Sequence, residues 1–234
     1  MEKISIVYRF KFIDGSSREF KVNMNPETLL ADYTVDEDQP EWTELDHFKC
    51  DHCPLDSTNN SHCPAAVSLT KVTKDCDFLI SYEEIELEVI TNERHVFQKT
   101  TAQKGISSLI GLLMATSDCP HTRFFKPMAR FHLPLSSEDE TIYRVSSMYA
   151  LAQYFKLMND QDTDLALIGL KEIYENIHKV NLGIANRLRS IAKKDASINA
   201  LIILDQYSQS MPVIIEDKLE EIDHLFKSFI HEAK

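Results

Sequence analysis

ISIVYRFKFIDGSSREFKVNM, residues 4–24, alternates apolar and polar side chains in two runs on either side of Asp14-Gly15. Period-two alternation places one set of side chains on each face of a strand, and an Asp-Gly pair supplies the positive φ of a tight reversal. These residues therefore read as a β-hairpin. A second alternation occupies EIELEVITNERHVFQKTTAQ, residues 84–103, where Ile85, Leu87 and Val89 are set against Glu84, Glu86 and Glu88, with a turn at Asn92-Glu93 and a second strand from His95 to Phe97. Together the hairpins predict one small antiparallel sheet with a single solvated face.

Outward from the hairpins the pattern becomes helical. Residues 25–47 read as a loop or a short helix near 26–33, with Trp42 as its anchor. PAAVSLTKVTKDC, from Pro64, spaces Ala66, Leu69 and Val72 or Thr73 as a helix does, with Pro64 at the first position and Cys63 at the cap. GISSLIGLLMATS, from Gly105, is apolar nearly all round and predicts a buried helix, with Gly111 admitting a close neighbour. Ser137 to Glu140, SEDE, form a capping box for a helix reaching about Met158 with Ile142, Val145, Tyr149, Ala152 and Phe155 on one face.

Asp162 or Asp164 caps the next helix, expected to be the longest element. Its stripe is Leu170, Ile173, Ile177, Val180, Ile184, Leu188 and Ile191, and it ends at Lys193-Lys194. A shorter helix over about 198–209 should stop before Met211-Pro212, followed by a last amphipathic helix carrying Leu219, Ile222, Leu225, Phe226, Phe229 and Ile230. The expected fold is α+β, a small antiparallel sheet from two hairpins with a cysteine-rich loop, packed on a C-terminal helical bundle. The β-rich part with the cysteine loop covers 1–104 and the helical part 105–234, read as one integrated domain because no repeat or low-complexity linker separates them.

Composition narrows the function classes. At 234 residues and 43% hydrophobic the chain can build a sizeable core without staples. A formal charge of −12 and a pI near 5.2 repel a phosphate backbone, and the basic residues form no stripe, so nucleic acid is not an expected partner. The N-terminal alternation lacks the apolar core of a signal peptide, and the apolar runs near 109–115 and 200–204 fall far short of a membrane span, so the expectation is a cytoplasmic protein off the membrane. Thiols stay reduced there, and clustered cysteines point to metal or redox chemistry.

FKCDHCPLDSTNNSHCPAA, residues 48–66, holds three of the five cysteines. Cys50 and Cys53 have the CxxC spacing that lets one turn offer two sulfurs to one ion, Cys63 adds a third, and Cys119 is the distant candidate for the fourth. His52, His62 and His121 are possible substitutes, since zinc accepts three cysteines and a histidine equally. Cys53, Cys63 and Cys119 each precede proline, and helical turns after Cys63 and Cys119 would stabilise a thiolate. The same four thiols suit an iron–sulfur cluster. A haem lacks a visible pocket, and Cys76 reads as a plain buried thiol.

A second cluster is HTRFFKPMARFHLPL, where Arg123, Lys126, Arg130 and His132 interleave with Phe124, Phe125, Met128 and Phe131; Glu140, Tyr143 and Arg144 lie close enough in sequence to join it. It offers an anion or cofactor site around Arg130, His132, Glu140 and Arg144, against the plainer possibility of ion pairs and core aromatics. No GxSxG, P-loop, GxGxxG or HExxH occurs. Cys119 with His121 could form a dyad but lacks an identifiable orienting group, so no catalytic residue is assigned and an enzyme is the minority reading.

CDHCPL…HCPAA, LIGLLMATSDCP, FKPMARFHLPL and ETIYRVSSMYALAQYF, in this order, resemble a family of bacterial proteins of unknown function over most of the chain. The resemblance brings no activity. It implies that Cys50, Cys53, Cys63, Cys119, Arg130, His132, Glu140 and Arg144 are the positions worth testing; Asp118 stands where glycine would be expected. The combined expectation is a structural zinc tying residues 50–63 to the helical half at Cys119, with the helices as an interaction or regulatory module for a protein partner. The rivals are an iron–sulfur redox or sensor protein and an enzyme with a pocket around Arg130, His132 and Glu140.

Overall fold

The computed structural model describes residues 3–33, 39–76, 80–191 and 196–231, with no side chains for 207 and 211–218. Strand β1 (Ile4–Phe12) pairs antiparallel with β2 (Ser17–Met24), and Gly15 takes φ +81° in the connecting turn, as Asp14-Gly15 predicts. Strands β3 (Glu84–Ile90) and β4 (His95–Thr101) form the second hairpin, and β3 joins β1 to give one sheet in the order β2-β1-β3-β4. β4 runs to Thr101, beyond Phe97, because its backbone stays paired with β3 although its side chains are mostly exposed.

One sheet face buries Ile6, Tyr8, Phe10, Phe20, Val22, Met24, Ile85, Leu87 and Val89. The other is a lattice of charges: Arg9 bridges Glu19 and Glu88, Lys11 also reaches Glu88, and Lys99 meets Glu86. These exposed pairs fix register more than they add stability.

Helix α1 (Pro64–Cys76) begins at Pro64, with the Cys63 carbonyl accepting from Val67 N–H and Ala66, Leu69 and Val72 buried. Helix α2 (Ala102–Thr116) follows β4 directly and lies across the apolar sheet face. Short α3 (Lys126–Arg130) leads to α4 (Glu138–Leu157), where Ser137 and Glu140 form the full capping box. Phe155 is 57% exposed, and Gln153 is buried in the same turn, with its side-chain oxygen accepting from Asp164 N–H. Asp164 accepts from Gly169 N–H and Tyr149 Oη and so anchors the start of α5 (Ile168–Ile191).

Of the two readings of 26–33 the structure takes the loop: the segment turns and bridges Ala31 back to Met24. The C-terminal helices differ from expectation. The break at Met211-Pro212 does not occur: α6 (Ala196–Ile222) is continuous and longer than α5, and the expected last helix is reduced to its end plus α7 (Lys227–His231). Packing against α5 and α2 holds α6 together. The helix end expected at Lys193-Lys194 lies outside the described residues. One buried cluster joins the sheet, α1, α2, α5 and α6, while a smaller one joins α4 to α5 through Ile142, Val145, Tyr149, Leu170 and Tyr174.

Close approach falls on Gly105, not Gly111. A Cβ at Gly105 would stand 2.9 Å from Ile85 Cδ1 and 3.0 Å from Phe10 Cε1, whereas one at Gly111 would meet only Leu204 Cδ2 at 3.5 Å. Overpacking typically costs about 1–3 kcal/mol, and glycine in a helix costs up to about 1 kcal/mol relative to alanine. Denaturant unfolding should therefore find Gly105→Val strongly destabilised and Gly111→Ala neutral or more stable.

Candidate functional site

The cysteine loop is built on a 3-10 turn over Glu41–Thr43 that buries Trp42 and Thr43. Thr43 Oγ1 contacts His62 Nδ1, and Cys63 N–H donates to the Thr43 carbonyl at 2.7 Å, which clamps the two ends of the loop. Between them Cys53 N–H donates to the Cys50 carbonyl, closing the CxxC turn.

This loop is held down by one side chain of α5. Arg187 is 2% exposed, and its guanidinium donates to the carbonyls of Trp42, Glu44 and Leu45 at 2.7, 2.7 and 2.9 Å. One turn earlier Gly183 makes room for Cys50: a Cβ there would stand 2.7 Å from Cys50 Sγ and 3.5 Å from the Phe48 carbonyl. Phe48 itself has φ +49°, a left-handed conformation that a bulky side chain rarely adopts, at the entry to the loop.

Cys119 arrives from the far side, buried after the C-terminus of α2. The backbone N–H of His121 faces its sulfur, an arrangement that favours the thiolate, while Thr122 N–H donates to the Cys119 carbonyl at 3.1 Å and closes the turn. Burial, and then Cys63, Cys119 and Cys53, push the Cys50 thiol up to about 12; burial likewise lifts Cys119 to about 11, against the pull of the His121 N–H. Cys50 thus lies within electrostatic range of the three other cysteines, and the Arg187 guanidinium within range of Cys50, Cys53 and Cys63. Among the described residues, no three His, Cys, Asp or Glu side chains form a ready cage for an ion. The four sulfurs share a neighbourhood without closing into a tetrahedron.

Two histidines join the loop to Cys119. The His52 and His121 rings stack with centroids 4.0 Å apart; His52 Nε2 pairs with the Asn176 carbonyl at 3.1 Å and His121 Nε2 with the His52 carbonyl at 3.1 Å. A carbonyl only accepts, so Nε2 of His52 carries the proton and Nδ1 keeps its lone pair. That Nδ1 is buried without a partner among the described residues.

The second predicted cluster divides. His132 and Arg144 line a cavity of about 460 Å³ between α2, α3, α5, α6 and the N-terminus of α4. Arg130 faces outward, paired with Glu93 at 3.2 Å and stacked over Phe131, and Glu140 is occupied in the capping box. Phe124 and Phe125 pack as core against Tyr149 and Tyr174. His132 keeps accessible surface on the cavity wall but is otherwise enclosed by protein; burial, with Arg144 nearby, lowers it to about 3. Its Nε2 makes a short hydrogen bond with Tyr8 Oη, which also contacts Ser108 Oγ at 2.8 Å.

Arg187, Gly183 and Tyr8 were not visible as site residues in the sequence. Arg187 had a signal: it sits beside Leu188 and one turn from Ile184, a charge on an apolar stripe.

A family model described as a domain of unknown function, DUF6901, matches residues 6–227. The chain belongs to the DUF6901 family. No curated protein and no solved structure matches it. Among the described residues of this DUF6901 chain, no helix is long and apolar enough to cross a membrane.

Two outcomes follow from the geometry. Arg187→Leu strands three carbonyls beside the thiols and should lower unfolding free energy by at least about 3 kcal/mol, with Arg187→Lys restoring only part, because a single ammonium nitrogen lacks the planar spread of donors that meets the three carbonyls from two nitrogens. For His132 the folded pKa lies below the unfolded value, so the unfolded chain takes up a proton first. Stability should hold above pH 6.5 and fall below it, by at most about 1.4 kcal/mol per pH unit, until about pH 3. His132→Gln should flatten that part of the profile.

Proposed function

We propose that this DUF6901 protein binds one zinc ion through Cys50, Cys53, Cys63 and Cys119, as a structural tie between the cysteine loop and the helical half. The observation that carries this reading is that four thiols from three separate chain segments lie within electrostatic range of Cys50, which itself packs against Gly183 of α5. Structural zinc favours four such ligands, with thiolates at about 2.3 Å. Binding would draw the sulfurs inward and displace their protons.

The surroundings suit that chemistry. Four thiolates and a divalent cation carry a net negative charge, which Arg187 offsets at close range. The Cys119 sulfur is already faced by the His121 backbone N–H. His52, with its outer nitrogen on a carbonyl and a buried lone pair, has the arrangement usual for a ligating histidine and is the one best placed to stand in for a thiolate.

With the metal in a closed site, function passes to the helices. The outer face of α4 exposes Leu151, Tyr154, Phe155 and Leu157, consistent with an interaction or regulatory module for a protein partner.

Metal analysis and an absorption spectrum on protein purified without oxygen test the assignment. The expected result is about one equivalent of zinc without a visible band, lost in Cys53→Ser and in Cys119→Ser. Several equivalents of iron with a brown band would replace zinc by an iron–sulfur cluster on the same thiols. Protein free of metal, or metal retained in both variants, would overturn the site.

A further inference from the structure

The 460 Å³ cavity lies apart from the cysteines, and the charge on its wall is at odds with the rest of the chain. The protein carries 37 acidic residues against 25 Lys and Arg, yet among the described residues no Asp or Glu lines the cavity. The charged lining residues among them are Lys104, exposed at the start of α2, and half-buried Arg144 on α4. Arg144 Nη2 donates to the Met128 and Phe131 carbonyls at 3.3 and 2.9 Å, which fixes the guanidinium, while Nε and Nη1 have no partner among the described residues. Lys104 likewise has none. Glu140, which faces Arg144 electrostatically, is held by Ser137 N–H and stays off the wall.

The remaining surface has two characters. Ser107, Ser108, Ser136 and Thr141 supply hydroxyls near the basic groups, and the N-terminus of the 20-residue helix α4 adds its positive end there. Leu112, Met114, Leu133, Ile177, Ile203 and Leu204 make an apolar wall opposite. A largely apolar cleft with a few convergent polar groups is the usual form of a small-molecule site, and this volume lies in the usual range.

We propose that this cavity binds an amphipathic monoanion, an aliphatic carboxylic acid of mid-length chain, with its carboxylate on Arg144 and Lys104 and its tail along α2, α5 and α6. A planar guanidinium with free N–H donors matches a carboxylate, and the described lining residues add two cationic groups and no carboxylate to oppose it. His132 and Ser108, both tied to the buried Tyr8 hydroxyl behind them, add polar groups to the cavity wall. The assignment is independent of the metal site.

Calorimetric titration of the full chain as purified with dodecanoate below its micellar concentration tests it. The expected result is one-to-one binding, with dodecyltrimethylammonium at least tenfold weaker, since it keeps the tail and reverses the head charge. Lys104→Gln, at an exposed position, and Arg144→Gln should each weaken dodecanoate by about tenfold or more, in keeping with a charge-assisted contact. Gly111→Leu should abolish binding by filling the apolar end beside Leu204. If Arg144→Gln fails to fold, Lys104→Gln and Gly111→Leu decide the matter. No dodecanoate binding, equal affinity for the alkyl cation, or full affinity in both Lys104→Gln and Gly111→Leu would overturn the proposal.

Discussion

The cysteine loop depends on one buried guanidinium. A loop without regular structure leaves its carbonyls without partners, and burying them against a helix would cost about 1–3 kcal/mol apiece if nothing donated to them. Arg187 donates to three at once, those of Trp42, Glu44 and Leu45. A charge so far from water is tolerated because its donors are satisfied, and a cluster of thiolates beside it would supply the opposite charge. The residue that seats the loop would therefore also be the one to offset the charge of the proposed thiolate–metal centre.

Helix α2 connects the parts. It packs against the sheet at Gly105, where β1 and β3 side chains leave space for nothing larger than a hydrogen. Its middle residues, Ser107, Ser108, Gly111 and Leu112, line the cavity, and its C-terminus delivers Cys119 to the loop. Sheet, cavity and cysteine centre share one rigid axis, so none of the three is a local embellishment of an independent fold. Helix α5 plays the matching part opposite, offering Gly183 and Arg187 to the loop and Ile177 and Asn181 to the cavity.

What the sequence made legible was mostly what depends on local periodicity. The alternation in 4–24 and 84–90, the Asp14-Gly15 reversal, Pro64 opening a helix and the Ser137–Glu140 box each state their structure within a few residues. Pro212 misled because its usual effect is local, while the continuity of α6 is set by packing against α2 and α5, which no window of sequence contains. The same limit applies to the sites. Spacing and residue type let the four cysteines be proposed as a set. That Arg144 faces inward while Arg130 turns outward to Glu93 depends on how α3 meets the second hairpin, a tertiary contact. Tyr8 read as one apolar strand residue among several, and only the fold brings its hydroxyl to His132.

The central claim is that the cysteines of the loop and Cys119 enclose one metal ion against α5. X-ray absorption at the metal edge of the purified protein tests it most directly, because it reads the ligand atoms themselves. The account expects a first shell dominated by sulfur at about 2.3 Å. A shell of nitrogen and oxygen at about 2.0–2.2 Å, without sulfur, would contradict it.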